Sequence, residues 1–288
     1  MNNSDQPAST VEPELTAAVG AARSEEKATS LWGYPATYVL VGVNVAVFVV
    51  MLLLGSGPVT EVLGRGAWGQ VLTASFDGHT LERFGSSGPI LVLQHGQYWR
   101  LVTSMFVHVT VLHIVLNMWC LWNLGLFGEP LLGKRGLIAV YVLTGAAGML
   151  LSLAWNVFTR QMGAEVAGAS GAVFGIAGIL IILLSNKKLS LPWEELRHLR
   201  RQVIFFAVAN LAIGMGSNLV GSLSRGGRID NSSHVGGFVC GLALGLPLFP
   251  RMTTGKMSYR ARQRETFLVA ALVLSLIGYA IAKFASKQ

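Results

Sequence analysis

Charge is scarce in this chain: Asp, Glu, Lys and Arg make up 12% of its 288 residues, and 52% are hydrophobic. The scarcity is greatest for aspartate. Only Asp5, Asp77 and Asp230 occur, all outside the long apolar runs, which excludes an aspartyl intramembrane protease with its two membrane-buried carboxylates. Cysteine is nearly absent. Cys120 and Cys240 both fall inside apolar runs, so a disulfide framework or zinc ribbon is excluded in favour of two reduced core thiols. There is no H-E-x-x-H, and no carboxylate at membrane depth supports His108, His113 and His234 as metal ligands, so no metal and no cofactor is expected. No inverted repeat and no substrate-sized set of buried charges points to a transporter. A basic-then-apolar leader is also missing. Met1 to Glu26 is polar, acidic and proline-containing, and residues 1–30 read as a disordered cytoplasmic tail.

What the chain has instead is apolar runs near the bilayer-spanning length of about 20 residues. Seven are bounded by charged or Gly/Pro breaks, at roughly 37–55, 110–132, 136–158, 169–184, 203–222, 234–250 and 266–285. The expected fold is all-α, a polytopic transmembrane helical bundle. The net charge of +8 does not signal nucleic acid, because the basic residues sit at the ends of the runs, where the positive-inside rule puts them. With a cytoplasmic amino terminus, fourteen of the 22 basic residues lie inside: Arg23, Lys27, Lys134, Arg135, Lys187, Lys188, Arg197, Arg200, Arg201, Arg251, Lys256, Arg260, Arg262 and Arg264. That orientation is preferred. The run "WEELRHLRRQ" at 193–202 then reads as a solvated turn facing lipid headgroups. Outside lies a loop from Ser56 to Val109, too long for a plain connector. Its aromatic and apolar residues, Trp68, Phe76, Phe84 and Ile90, suit the outer membrane interface.

In this topology the fourth and sixth spans start from the same side, carrying Ser170 and His234 in at the outer face. From Ser170 to Leu184 is about 15 residues, or roughly 22 Å of helix against a core of about 30 Å. The serine therefore lies below the outer surface. The same arithmetic from His234 to Pro250 gives roughly 25 Å, nearly the same depth. A hydroxyl and an imidazole at one level can form the nucleophile and general base of an acyl-transfer centre. Glycines at three- or four-residue spacing, Gly168, Gly171, Gly175 and Gly178 on one span and Gly237, Gly241 and Gly245 on the other, make the faces that let two helices approach closely. His113 and Asn117, four apart, share a face of the second span and are candidate donors to an oxyanion. His108, near the interface, is expected to make a structural hydrogen bond to the loop.

With "YWR" at 98–100, "HVTVLHIVLN" at 108–117, "GASG" at 168–171 and "HVGGFVCG" at 234–241 in this order, the chain resembles the rhomboid intramembrane serine proteases. The resemblance covers residues 37 to 250. It implies a Ser170/His234 dyad without an acidic third member, hydrolysing peptide bonds in or beside the transmembrane helices of membrane-protein substrates. It implies an oxyanion hole from His113, Asn117 and the Ser170 N–H, a loop held by Trp99 and Arg100, and structural support from His108, Glu129, Gly168, Gly171, Gly237 and Gly241. Residues 31–250 would form a six-span catalytic core, and residues 251–288 a basic linker with an added seventh span. The expected setting is the bacterial cell membrane, with the site opening outward and the bilayer and membrane-protein substrates as partners.

Phe174 departs from the family pattern, standing where some bacterial members have a tyrosine packed on the histidine; ring packing is expected without the hydroxyl. The sequence Gly-Ala-Ser-Gly-Ala is not the G-x-S-x-G elbow of soluble hydrolases and follows no strand. Asp230, four before His234, lies in a polar loop where Arg225 and Arg228 are equally good partners, so a triad is not expected. The alternative class is a non-proteolytic rhomboid-like scaffold that binds transmembrane helices. Such proteins typically lack the serine or the histidine, and both are present here.

Overall fold

Pro35 opens the first long helix, α1 (Pro35–Leu54), from the one position where its missing N–H costs nothing. The next amides would be unsatisfied in a membrane. They are met by Glu129, whose two oxygens accept from Ala36 N (2.9 Å), Thr37 N (2.8 Å) and Thr37 Oγ1 (2.8 Å). The computed structural model describes residues 33–187, 189, 192–223, 230–251 and 255–287. The predicted tail and the basic residues Arg23, Lys27, Lys188, Arg225 and Arg228 lie outside the described residues.

The long loop after α1 is broken into short helices, α2 (Pro58–Gly64), α3 (Trp68–Val71), α4 (Gly78–Phe84) and α5 (Arg100–Thr103), with a π-turn over Ile90–Gln94 and a 3₁₀ turn over Ser104–Phe106. Phe76 is buried edge-to-face against Phe48 of α1, at 5.5 Å between centroids. Trp68 is exposed. Asp77 caps α4 by accepting from Thr80 N at 2.7 Å and from Ser56 Oγ at 2.8 Å.

α6 (Val111–Phe158) carries the second and third predicted spans, its helical geometry interrupted at Gly133 (φ 73°, ψ 161°). Unbroken, it would place Val111 and Tyr141 about 45 Å apart. Yet the Tyr141 hydroxyl donates to the Met105 carbonyl at 3.2 Å, and the space beside Gly145 is filled by the Met105 side chain. The chain therefore doubles back at Gly133, and α6 is two antiparallel passes.

α7 (Ser170–Leu183) is short, uncharged and almost wholly buried. It packs between α6 and α9 (Asn231–Leu248) as the centre of the bundle. α8 (Trp193–Leu223) differs from expectation, because the polar run at its start is helical and continuous with the span. Its Glu, Leu and Arg residues are strong helix formers, and Glu194 and Glu195 suit the first turn of a helix. Arg200 Nη1 donates to Ser185 Oγ at 3.0 Å, tying this turn to the end of α7. α10 (Lys256–Ala285) lies against α6 and α9. Its buried Gln263 donates from Nε2 to the Leu132 carbonyl at 3.0 Å, a group left without its helical partner by the break at Gly133.

Each of the seven predicted spans falls on a helix. Among the described residues α1, α6 and α10 are each long and apolar enough to cross a membrane, and α7 is a shorter apolar helix. The molecule is a helical membrane bundle.

Candidate active site

Ser170 is the first residue of α7, so its N–H is one of the first-turn donors with no intrahelical acceptor. Its Oγ lies 2.8 Å from His234 Nε2, on the first turn of α9 and 64 residues away in sequence. With the ring proton on Nδ1, Nε2 can accept the hydroxyl proton. His234 Nδ1 is buried and has no hydrogen-bond partner among the described residues. The Phe174 ring, one turn after Ser170, stacks on the His234 ring at 4.5 Å and 11°.

Asp230 does not complete a triad. It is the N-cap of α9, with Oδ1 accepting from Ser232 N (3.1 Å), Ser233 N (3.3 Å) and the Ser232 hydroxyl.

Two glycine pairs bring the helices this close. A Cβ on Gly237 would overlap the Gly171 carbonyl, and one on Gly241 would overlap the Gly175 carbonyl. The backbones of α7 and α9 touch directly there. Gly171 also faces Ser233, whose Oγ would lie 2.7 Å from an added Cβ.

His113 and Asn117 share a face, with Asn117 Nδ2 donating to the His113 carbonyl at 2.9 Å and keeping its second N–H. His113 lies under Gly168, where a Cβ would come within 2.7 Å of its ring. Gly168 also has φ 127°, a backbone conformation that other residues rarely adopt. His108 is fully buried, with Nε2 accepting from Ala169 N at 3.4 Å, just before Ser170 and not in the first loop, while its ring meets His113 edge-on at 5.1 Å. Four of the predicted residues, Ser170, His234, His113 and Phe174, are thus linked to one another directly or through Gly168, and Asn117 joins them through His113.

Trp99, Arg100 and Glu129 serve elsewhere. The Arg100 guanidinium lies over the Trp99 ring at 4.5 Å and donates from Nη1 to the Glu82 and Ser86 carbonyls at 2.8 and 2.7 Å. Burial lowers its pKa, and nearby Glu82 and Glu165 oppose that. Glu129 caps α1 as described. The sequence reading missed Ser104, whose carbonyl accepts from Gly168 N at 2.9 Å. A backbone acceptor leaves no mark on residue identity. It also missed Thr144, which fills the notch left by Gly175.

Two cavities flank α9. One, of about 730 Å³, is lined by residues that include Trp155, Asn156, Gln161, Glu165 and Asp230. The other, of about 110 Å³, lies against His234 and Phe174 and is otherwise lined by Ala207, Val208, Leu211, Val235 and Phe238. Neither is lined by Ser170, His113 or Asn117. Among the described residues no group of three His, Cys, Asp or Glu is arranged to hold a metal ion.

A family model described as the Rhomboid domain matches residues 95–251. The Rhomboid protease GluP of Bacillus subtilis (strain 168) is 29% identical over 231 residues, covering 78% of this chain and 38% of the relative. Rhomboid-like protease 2 of Toxoplasma gondii is 30% identical over 237 residues, 82% of this chain and 74% of the relative. RHOMBOID-like protein 1 of Arabidopsis thaliana is 29% identical over 243 residues, 81% of this chain and 57% of the relative. The chain therefore spans between 38% and 74% of the length of these relatives.

Proposed function

This chain belongs to the rhomboid family, and on that premise we propose that it is an intramembrane serine endopeptidase acting on transmembrane helices of membrane-protein substrates. Ser170 is the nucleophile and His234 the general base. The observation that carries this reading is the 2.8 Å contact between Oγ and Nε2, made by residues 64 apart in sequence on two different helices.

In the proposed reaction His234 Nε2 takes the hydroxyl proton as Oγ attacks the scissile carbonyl, and returns it to the leaving amine. Asn117, His113 and the Ser170 N–H are donors for the oxyanion, the arrangement that contributes most to acyl transfer. Water then hydrolyses the acyl-enzyme with His234 again as base. A substrate helix hides its carbonyls in its own hydrogen bonds, so segments weakened by Gly, Pro or small polar residues are the preferred targets. We assign residues 31–250 as the catalytic core and 251–288 as the added linker and span. The site opens to the outer side of the membrane, with the amino terminus inside, as the distribution of basic residues favours.

The test is covalent labelling of Ser170 by a serine-directed electrophile in native membranes, with cleavage of a single-pass substrate measured in parallel. Ser170→Ala and His234→Ala should each abolish both signals without reducing membrane insertion. A wild-type chain that binds transmembrane helices but never labels would instead be a scaffold.

A further inference from the structure

The segment that delivers Ser170 to the site runs beside the first outer loop and is laced to it. Ser87 N donates to the Val166 carbonyl at 2.8 Å and Val166 N to the Ser87 carbonyl at 2.7 Å. Next to this pair, a Cβ on Gly88 would stand 2.7 Å from the Ala164 carbonyl. Further along, Gly168 N reaches the Ser104 carbonyl and Ala169 N reaches His108.

One side-chain bond reinforces these backbone contacts. The Ser86 hydroxyl donates to Glu165 Oε1 at 2.5 Å. Ser86 is fully buried, and its carbonyl is the acceptor for Arg100 Nη1. A continuous chain therefore leads from Trp99 and Arg100, through Ser86, to Glu165, five residues before the serine.

We propose that Glu165 is a positioning residue for the reaction: the chain Arg100–Ser86–Glu165 fixes the segment that presents Gly168, Ala169 and Ser170 to the scissile carbonyl. This rests on the protease reading above. A hydroxyl bond to a carboxylate is stronger than one between neutral groups, which suits a latch between two loops. Burial pushes the Glu165 carboxyl above its usual range, while the Ser86 bond and Arg100 oppose that shift. The acid is therefore held here against a cost that a freely solvated glutamate would avoid.

Glu165 also lines the 730 Å³ cavity, where its role would be to touch substrate instead. The two roles move different constants, which the test uses. In proteoliposomes holding the full chain and a single-pass substrate, Glu165→Ala should lower kcat about tenfold, the size of one lost hydrogen bond to a charged group, with KM changed by less than about twofold. Electrophile labelling of Ser170, which needs no occupied cavity, should slow by the same factor. Glu165→Gln keeps an acceptor for Ser86 and should restore kcat to within about threefold of wild type. Ser86→Ala should match Glu165→Ala, and the double variant should be no slower than either. Amide exchange at Val166 and Gly168 should quicken in Glu165→Ala.

A raised KM with unchanged kcat, an unchanged labelling rate, or additive losses in the double variant would overturn the positioning role. A wild-type chain that neither labels nor cleaves would overturn the protease reading separately. In that case unaltered amide exchange in Glu165→Ala would sink the latch as well.

Discussion

Asp230 stands one helical turn before His234, where a triad would place its acid, and it is occupied by the first amides of α9. With Oδ1 committed to the cap, the carboxylate makes no hydrogen bond to the imidazole, whose Nδ1 has no partner among the described residues. Asp230→Ala should therefore cost about 1 kcal/mol of stability, as lost caps do, with cleavage reduced far less than in Ser170→Ala. A loss of cleavage equal to that of Ser170→Ala, measured at matched folded protein, would restore the triad. Asn117 is a different case. One N–H is engaged by the His113 carbonyl, and in the proposed reaction the other is available to the oxyanion. Asn117→Ala should lower kcat by about 10- to 1,000-fold, with KM little changed; a KM effect alone would mark it as a substrate contact. Ser170, His234, His113 and Asn117 were legible because strong polar groups are rare in apolar runs and their order matched a family. The left-handed backbone of Gly168 and the Ala169 bond to His108 were not, because neither depends on a pattern that repeats along the chain.

At the scale of elements, α7 and α9 are held by their glycines. Gly237→Ala would drive a methyl into the Gly171 carbonyl and pry the helices apart. Overpacking of this kind costs about 1–3 kcal/mol, and the serine and histidine would separate with it. The expected result is a lower thermal midpoint and lost labelling together. Gly42→Ala in α1, where nothing lies within 4 Å of the added Cβ, should leave both intact or raise stability slightly. The cap of α4 makes a pH prediction. Side-chain and backbone hydrogen bonds from Thr80, then Ser56, hold the Asp77 carboxyl below its usual value. A depressed folded pKa means that its contribution is full above the ordinary carboxylate range and is lost as pH falls through the folded value. Exchange of the Thr80 amide should accelerate below about pH 4, and Asp77→Asn should remove that dependence. The small-residue spacing on α7 and α9 was readable in advance. The helical start of α8 was not, because hydropathy searches for spans, and a polar helix outside the apolar run carries no such signal.

The molecule as a whole is a central helix packed between two others, with α10 against those two. α10 touches α6 and α9, and its Gln263 meets the Leu132 carbonyl released by the break in α6. Gln263→Ala would strand a buried acceptor at a cost of about 1–3 kcal/mol. The thermal midpoint should fall while the rate of Ser170 labelling per folded molecule stays the same, because the Gln263 side chain bonds to Leu132 and not to the Ser170–His234 pair. A labelling rate that falls in proportion would give the seventh span a part in the chemistry. The number of spans and their borders came from hydropathy alone. How they nest did not, since lipid-facing and core-facing leucines are the same residue.

The turn at Gly133 has one more implication. A single residue joins two membrane crossings, and Glu129, four positions earlier, fastens the start of a third. These crossings are tied together at one corner of the bundle. On the proposed protease reading, a guest polypeptide entering sideways would have to displace some other part of the wall.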